Sequence, residues 1–231
     1  MVSIGSNLQE VKRRLAAASA SAGRDAKSVT LLAVSKTFPA AAVRQAHGLG
    51  QREFGENYVQ EALDKIDALA DLRSGIEWHL IGPLQSNKTR PVAGAFDWVH
   101  SVDRLKIAQR LAEQRPDKLP PLNLCLQVNI SGEPSKSGVL PADTLALAQA
   151  VAALPVDRVR LRGLMSIPEP ASDPAAQRAP HRALRELMDS LNAQGLQLDT
   201  LSMGMSADLE AAVLEGATMV RVGSALFGQR A

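Results

Sequence analysis

The sequence predicts an α/β fold in which eight parallel strands close into a (β/α)8 TIM barrel, with one extra helix ahead of the first strand. Strand-like and helix-like segments alternate from residue 29 onward. Aromatic residues make up only 3% of the chain, so the core must be aliphatic, as barrel interiors commonly are. No G-x-G-x-x-G turn follows the first predicted strand, which disfavours a doubly wound open sheet. Since no composition shift divides the 231 residues, positions 1–231 are expected to form a single domain.

The predicted elements alternate strictly, which indicates parallel strands joined by helical crossovers. The strands are predicted at Val29–Ser35, Arg52–Gly55, Glu77–Ile81, Trp98–Ser101, Leu122–Ile130, Val159–Ile167, Thr200–Met203 and Met219–Val222. The helices between them are predicted at Ala40–Leu49, Tyr58–Leu69, Lys88–Ala95, Arg104–Gln114, Ala142–Ala153, His181–Gln194 and Ala207–Glu215.

The helix ahead of the first strand is predicted from a capping pattern and an apolar stripe. Asn7 is the expected N-cap, with Glu10 three residues later. Leu8, Val11 and Leu15 fall on one face of this helix, which is therefore expected to pack against the barrel.

Composition and charge exclude several classes of function. A net charge of +2 without a basic run between aromatic residues gives no sign of nucleic-acid binding. No apolar stretch has the length of a membrane span, and the alanine-rich N-terminal segment is too weakly apolar for a signal peptide. The single cysteine, Cys125, lies in the apolar run Leu122–Ile130 and is expected to be a buried hydrophobe. A reducing compartment, the cytoplasm, is therefore expected.

Two loops rich in Gly and Pro are predicted at the carboxyl-terminal face of the barrel, where such folds assemble their sites. They are Ser131–Gly138, which contains Pro134 and Lys136, and Pro168–Pro180, whose four prolines prevent it from being helical throughout. Each is interpreted either as a lid or as a linker.

Lys36 is the first candidate for chemistry, because it ends an apolar strand. Period-two alternation places it on the same face as Leu32 and Val34. If that face lines the barrel, partial desolvation disfavours the ammonium and favours the free amine, the form that attacks carbonyl carbon. The alternative is a lysine whose head group extends from the strand end into solvent.

The ends of the last two strands predict a phosphate site. Ser206 follows the seventh strand, and Gly223 and Ser224 follow the eighth. In TIM barrels the loops after these two strands commonly bind phosphate, since glycine lets the backbone approach an anion and serine hydroxyls donate to it. The alternative for Ser206 is a plain helix N-cap.

Arg221 interrupts an apolar strand, and alternation directs its side chain opposite to Val220 and Val222, into the barrel. A buried guanidinium needs a specific acceptor, which is either a ligand or a carboxylate such as Glu53 or Glu56. A lysine, a phosphate site and an inward arginine suit an aldehyde that carries a phosphate. These residues alone do not separate a pyridoxal phosphate protein from a class I aldolase acting on a sugar phosphate.

Other chemistry has weaker support. His79 is interpreted as a hydrogen-bonded core histidine. No cluster of His, Cys, Asp and Glu has zinc-ligand spacing, and no G-x-S-x-G elbow is present, so neither a metal site nor a serine hydrolase is expected.

Six segments together resemble the pyridoxal 5′-phosphate (PLP) homeostasis proteins of the YggS/PROSC type, PLP-binding proteins of the alanine-racemase-like barrel class. They lie in order along essentially the whole chain: Ala33–Thr37, Phe54–Tyr58, His79–Lys88, Gly163–Pro168, Ser202–Asp208 and Val220–Gly228.

The resemblance implies a set of cofactor contacts. Lys36 is implied to form the Schiff base with PLP, and Arg221 to face the pyridine nitrogen. The other implied contacts are Asn57 beside the cofactor, Met205 and Ser166 lining the site, and Ser206, Gly223 and Ser224 on the phosphate. Lys136 and Lys88 also match lysines of the family; each is either a secondary aldehyde acceptor or, in the alternative, an exposed lysine.

The resemblance further implies a PLP carrier or regulator with little or no catalysis. Arginine donates but does not accept, so it disfavours a protonated ring and weakens carbanion chemistry. Barrel racemases are implied to use a second base from an additional β domain, whereas Tyr58 is the only tyrosine here. An amino-acid racemase remains the alternative. Apo PLP-dependent enzymes are the implied partners, and a monomer is the implied oligomeric state.

Overall fold

In a computed structural model, which describes residues 3–133 and 136–228, eight parallel strands form a closed barrel in sequence order. The strands are β1 (Thr30–Val34), β2 (Glu53–Glu56), β3 (Glu77–Leu80), β4 (Trp98–Val102), β5 (Leu122–Gln127), β6 (Val159–Met165), β7 (Thr200–Met205) and β8 (Met219–Val222). The barrel closes where β1 pairs with β8, with Leu32 opposite Arg221. The predicted (β/α)8 barrel is confirmed.

Helices surround the barrel on its outer side. They are α1 (Ile4–Ser21), α2 (Ala40–Gly48), α3 (Val59–Ala68), α4 (Thr89–Ala95), α5 (Leu105–Gln114), α6 (Pro141–Ala152), α7 (Pro174–Ala193), α8 (Leu209–Leu214) and α9 (Ser224–Phe227). None of the helices in the described ranges is long and apolar enough to cross a membrane.

Alternation along β1 divides its side chains between two cores. Leu31 and Ala33 belong to the large cluster between strands and helices, whereas Leu32 and Val34 pack inside the barrel with Ile81. Burying aliphatic surface contributes about 25 cal/mol per Å², and both faces of a parallel strand are covered. The predicted inward face of the first strand is therefore confirmed.

The predicted start of α1 is wrong. The helix begins at Ile4, and its N-cap is Ser3, which exchanges hydrogen bonds with Ser6 in a capping box. Asn7 lies within the helix and donates from Nδ2 to the carbonyl oxygen of Leu226, 2.9 Å away. The side chain of Asn7, which the local sequence pattern predicts as the cap, therefore forms a tertiary contact with the other end of the chain instead.

The helix predicted at His181–Gln194 begins earlier, at Pro174, because Asp173 caps it by accepting from the backbone N–H of Ala176. Proline suits a first helical turn, since the N–H that it lacks would have no partner there. Only the first part of the loop Pro168–Pro180 is irregular, and Pro180 lies inside α7. The next helix is shorter than predicted: α8 begins at Leu209.

The N-terminal helix α1 packs on the outside of the barrel, against α8 and α9. Leu8, Val11 and Leu15 are buried, as predicted. Arg14 forms an ion pair with Glu210 and donates to the carbonyl oxygen of Ser206 at 3.1 Å. The helix is thus attached to the segments that follow both β7 and β8.

Candidate functional site

The predicted site residues lie at or just beyond the carboxyl ends of five strands. Lys36 follows β1, Asn57 follows β2, Ser166 follows β6, and Met205 and Ser206 mark the end of β7. Arg221 lies in β8, with Gly223 and Ser224 directly after it. Because every strand runs in the same direction, these ends share one face of the barrel. The fold therefore brings the predicted set to one rim.

Arg221 points into the barrel, as predicted, and is bonded only to neutral oxygens within the described residues. It donates to the Ser202 carbonyl oxygen at 2.5 Å, to the Ser202 hydroxyl at 2.9 Å and to the Ser166 carbonyl oxygen at 2.8 Å. The alternative of a salt bridge to Glu56 fails, because that carboxylate pairs with Lys65. Burial lowers the pKa of Arg221 to about 10, so the guanidinium stays charged at neutral pH.

A line of buried polar side chains continues from Arg221 across the barrel. The Ser202 hydroxyl lies 2.8 Å from His100 Nδ1, and His100 Nε2 lies 2.9 Å from His79 Nδ1. His79 stacks on Trp98 with ring centroids 5.4 Å apart. The interpretation of His79 as a hydrogen-bonded core histidine is confirmed.

Both imidazoles are neutral at neutral pH. Burial lowers the pKa of His79 to about 3. Burial, with the neighbouring His79 and Arg221, lowers the pKa of His100 well below its ordinary value. A neutral imidazole carries one proton, so each ring donates through one nitrogen and accepts through the other.

The direction of this hydrogen-bond line follows from its two ends. His79 Nε2 has no hydrogen-bond partner among the described residues. A carboxylate oxygen of Glu77 lies 3.8 Å away, and its negative charge favours a proton on Nε2, which leaves Nδ1 as an acceptor. His100 then donates from Nε2 and accepts the Ser202 hydroxyl proton at Nδ1. Ser202 in turn accepts from Arg221. We therefore assign one uniform direction of donation, from Arg221 to His79.

The segment after β1 carries an unusual backbone conformation. Thr37, next to Lys36, has a φ of 69°, and among the described residues it is the one non-glycine with positive φ. That region is disfavoured for a β-branched side chain. Phe38 stacks on Phe227 with ring centroids 5.1 Å apart. The turn beside Lys36 therefore rests on α9, the segment that contains Ser224.

The rim at β7 and β8 is shaped by glycine and by one carboxylate. A Cβ atom at position 223 would lie 3.3 Å from the carbonyl oxygen of Val34, so glycine allows a close approach of the two strand ends. Asp208 Oδ1 accepts from the backbone N–H of Met205 at 2.7 Å, and Asp208 Oδ2 lies 2.9 Å from His181 Nε2. Burial acts to raise the pKa of Asp208, but the hydrogen bonds from His181 and Met205 lower it overall.

Asp208 excludes one of the two interpretations of Ser206, that of a helix N-cap. It occupies the N-cap position of α8, so Ser206 is not the cap of this helix. The turn closed by Asp208 instead contains Ser206, and Arg14 binds its carbonyl oxygen from outside.

Several buried polar atoms at the same face lack a hydrogen-bond partner within the described ranges. They include Ser166 Oγ and Asn57 Oδ1. Such atoms are costly to bury unless a ligand or water completes them. Gly82 fits closely against Asn57, since a Cβ there would lie 2.2 Å from the Asn57 carbonyl oxygen. The residues present thus offer unused hydrogen-bonding capacity to a polar ligand.

The lysines predicted as secondary acceptors lie in different places. Lys136, together with Asn57 and Ile167, lines a cavity of about 230 Å³. Its Nζ lies 2.9 Å from Glu133, whose pKa falls to about 2 through hydrogen bonds from Ser131 and then Lys136. Pro134, in the same loop, lies outside the described residues. Lys88 is exposed at the end of a single helical turn and does not line this cavity.

Sequence reasoning missed Ser202, His100 and the pair His181–Asp208. Ser202 and Asp208 lie in a segment that carried the family resemblance, which was an available signal. His100 gave none, because its partner Ser202 is 102 residues away along the chain.

Curated relatives match the chain from end to end. A family profile described as the alanine racemase N-terminal domain matches residues 6–231. A "pyridoxal phosphate homeostasis protein" of Pseudomonas aeruginosa is 64% identical over 230 residues, covering 100% of this chain and 97% of the relative. A protein of the same name from Escherichia coli is 53% identical, covering 100% and 98%.

Solved structures agree on the fold. The crystal structure of "an unknown protein" from Bifidobacterium adolescentis superimposes with a TM-score of 0.89 at 37% identity, covering 97% of this chain and 94% of that one. PipY of Synechococcus elongatus with PLP bound gives 0.79 at 44% identity, covering 87% and 93%. An alanine racemase from Corynebacterium glutamicum gives 0.64 at 19% identity and covers 95% and 60%. This last likeness concerns the fold alone.

Proposed function

Because the chain belongs to the pyridoxal phosphate homeostasis protein family, we propose that it binds PLP as a Schiff base on Lys36 and acts in PLP homeostasis. The observation that best supports the proposal is the pairing of β1 with β8. Lys36 lies just beyond the end of β1, and the paired strand β8 holds a buried guanidinium with neutral partners among the described residues.

The residues at the rim fit the three parts of PLP. The Lys36 amine would condense with the aldehyde carbon, forming a C=N bond and releasing one water. Ser206, Gly223 and Ser224 would hold the phosphate, where glycine allows close approach. Asn57, Ser166 and Met205 would line the ring, and the unpartnered oxygens of Asn57 and Ser166 are suited to polar groups on it.

The surroundings of Arg221 support a carrier or regulator with little or no catalysis. Bound PLP supplies an electron sink for carbanions, and the sink is strongest when the ring nitrogen is protonated. Arg221 remains charged and only donates, so it would hold the ring nitrogen unprotonated. Its hydrogen bonds to Ser202 and Ser166 hold the guanidinium in place inside the barrel.

An amino-acid racemase is the second candidate, favoured by the shared barrel. The alanine racemase that superimposes extends well beyond it, since this chain covers 60% of that one. Two-base racemisation needs a second acid on the far face of the ring. Tyr58, the only tyrosine, is 59% exposed. Incubation with L-alanine followed by chiral chromatography separates the candidates: sustained formation of D-alanine would refute the carrier. A class I aldolase would show borohydride trapping of a sugar phosphate without PLP.

We further propose that the protein is a single-domain monomer in the cytoplasm and transfers PLP to apo PLP-dependent enzymes. Its support is the family and the one barrel that the described residues form. Light scattering after size exclusion tests the monomer, and recovery of activity by an apo-enzyme mixed with the loaded protein tests transfer.

The primary experiment is an absorption spectrum with PLP before and after borohydride, followed by peptide mapping. We expect a visible band that reduction abolishes, with the pyridoxyl group on Lys36. Labelling spread over surface lysines, or no band, would refute the proposed function.

A further inference from the structure

The geometry points to Glu61 and Lys65 as positioning residues that hold the backbone on both sides of Lys36. This inference rests on the proposed function, because it concerns how the reacting lysine is presented. Neither residue lies on the predicted rim: both belong to α3, one turn apart, outside the barrel.

Lys65 is a buried ammonium at the centre of the arrangement. Its Nζ donates to the carbonyl oxygen of Ser35 at 2.7 Å, to Glu56 at 2.7 Å and to Glu61 at 2.6 Å. An ammonium has three protons, so these bonds account for all of them. The residue before Lys36 is thereby fixed through its carbonyl group.

Glu61 fixes the residue after Lys36. The carboxylate oxygen that accepts from Lys65 also accepts from the backbone N–H of Thr37, 2.6 Å away. Thr37 is the β-branched residue with a φ of 69°. Strained backbone of this kind persists only where surrounding contacts hold it, and it is concentrated at functional sites.

Glu56 completes the arrangement from β2. Its Oε1 also accepts from the Ser35 hydroxyl at 2.6 Å. Strand β2 and helix α3 therefore both hold the Ser35–Thr37 turn. We infer that the bond to Glu61 keeps Thr37 in its disfavoured conformation and so fixes the direction in which Lys36 leaves the backbone.

Glu61 is the suitable residue to vary, because its side chain is 29% exposed and its loss leaves Lys65 paired with Glu56. Removing Lys65 instead would leave Glu56 buried without a counter-ion, which strongly destabilises a fold. Asp67→Ala on the same helix is the matched control, since it removes an exposed carboxylate.

The test compares two ligands. PLP forms the covalent link, whereas pyridoxine 5′-phosphate has the same ring and phosphate but carries an alcohol in place of the aldehyde. With Glu61→Ala we expect the dissociation constant for PLP to rise about tenfold, which corresponds to a loss of about 1.4 kcal/mol of binding free energy. Binding of pyridoxine 5′-phosphate, measured by calorimetry, should match that of Asp67→Ala. Glu61→Gln, which keeps an acceptor oxygen, should stay within about threefold of wild type.

A rescue variant tests the strain directly. Glycine adopts positive φ without penalty, so Thr37→Gly combined with Glu61→Ala should recover most of the lost PLP affinity. Equal weakening of both ligands by Glu61→Ala would overturn the inference, since Glu61 would then serve the fold as a whole. PLP affinity equal to that of Asp67→Ala would also overturn it.

The same experiment separates this inference from the proposed function. If borohydride labels Lys36 in the wild type, the proposed function stands and the variants decide on Glu61. If the wild type leaves Lys36 unlabelled, the proposed function fails, and the inference fails with it.

Discussion

The guanidinium of Arg221 lies 2.9 Å from the hydroxyl of Ser202, and both side chains are buried inside the barrel. That hydroxyl also forms a hydrogen bond with His100 Nδ1, 2.8 Å away. One small side chain thus connects a charged group at the candidate site to two neutral imidazoles in the core.

The first prediction concerns the stability of this connection. Ser202→Ala removes a partner from Arg221 and leaves His100 Nδ1 without a donor, so the free energy of unfolding should fall by about 1–3 kcal/mol. Urea denaturation measures it. The control, Ser190→Ala on the exposed side of α7, should change it by less than about 0.5 kcal/mol. Equal effects of the two substitutions would contradict the buried hydrogen-bond line.

The second prediction is a dependence of stability on pH. His79 and His100 have folded-state pKa values below the unfolded value of about 6.5, and that of His79 is about 3. Between these values the unfolded chain binds more protons, so stability is complete above about pH 6.5 and is lost as the pH falls. Each imidazole contributes a slope of up to about 1.4 kcal/mol per pH unit.

His79→Phe tests the origin of that slope. The substitution keeps a ring against Trp98 and removes one titrating group, so the slope of stability against pH between about pH 4 and about pH 6 should decrease, whatever the stability at about pH 7. Denaturation at several pH values measures it. His47→Gln, at the end of α2, is the control. A slope unchanged from wild type would show that His79 does not contribute to the acid sensitivity.

The third prediction separates the covalent link from the phosphate contacts. Lys36→Ala should abolish the borohydride-reducible band while PLP remains bound more weakly, because Ser206, Gly223 and Ser224 belong to other strand ends. Equilibrium dialysis measures the remaining affinity, with Lys88→Ala as an exposed control. Complete loss of binding would mean that the covalent link dominates the affinity.

The fourth prediction concerns the loop that contains Ser206. Asp208→Ala removes the acceptor that closes this loop on Met205 and frees His181. A bond to a charged group contributes about 1.5–3 kcal/mol, so affinity for pyridoxine 5′-phosphate should fall by at least about tenfold.

Pyridoxal, which lacks the phosphate, provides the internal control for this loop. Its affinity should be the same in Asp208→Ala and wild type, and the exposed substitution Asp189→Ala should affect neither ligand. If pyridoxal weakens as much as the phosphate ester does, Asp208 does not act through the phosphate.

The strands were predictable because a parallel barrel strand is buried on both faces and therefore appears in the sequence as a short apolar run. The last strand was predicted at its observed bounds, Met219–Val222. Arg221 was placed correctly inside the barrel, since alternation fixes the side of a strand without knowledge of its neighbours. Helix starts were less predictable. Asn7 and Ser3 both suit an N-cap, and only the contact with Leu226 decides between them.

The supporting residues of the site were beyond prediction from local pattern. Lys65 looks like an ordinary helical lysine four residues after Glu61, a spacing typical of exposed ion pairs. Its role depends on how α3 lies against the ends of β1 and β2. The strained turn at Thr37 had no signal either, because a β-branched residue predicts extended backbone.

The contact between Asn7 and Leu226 spans 219 residues, and it has a consequence for synthesis. While the chain emerges from the ribosome, β1 lies at an open edge until β8 arrives to pair with it. An unpaired edge strand invites association with other chains. Contacts between distant segments also form slowly. A nascent chain that stalls before β8 should therefore lack both Arg221 and a closed seam, and it should depend on chaperones until translation passes that point.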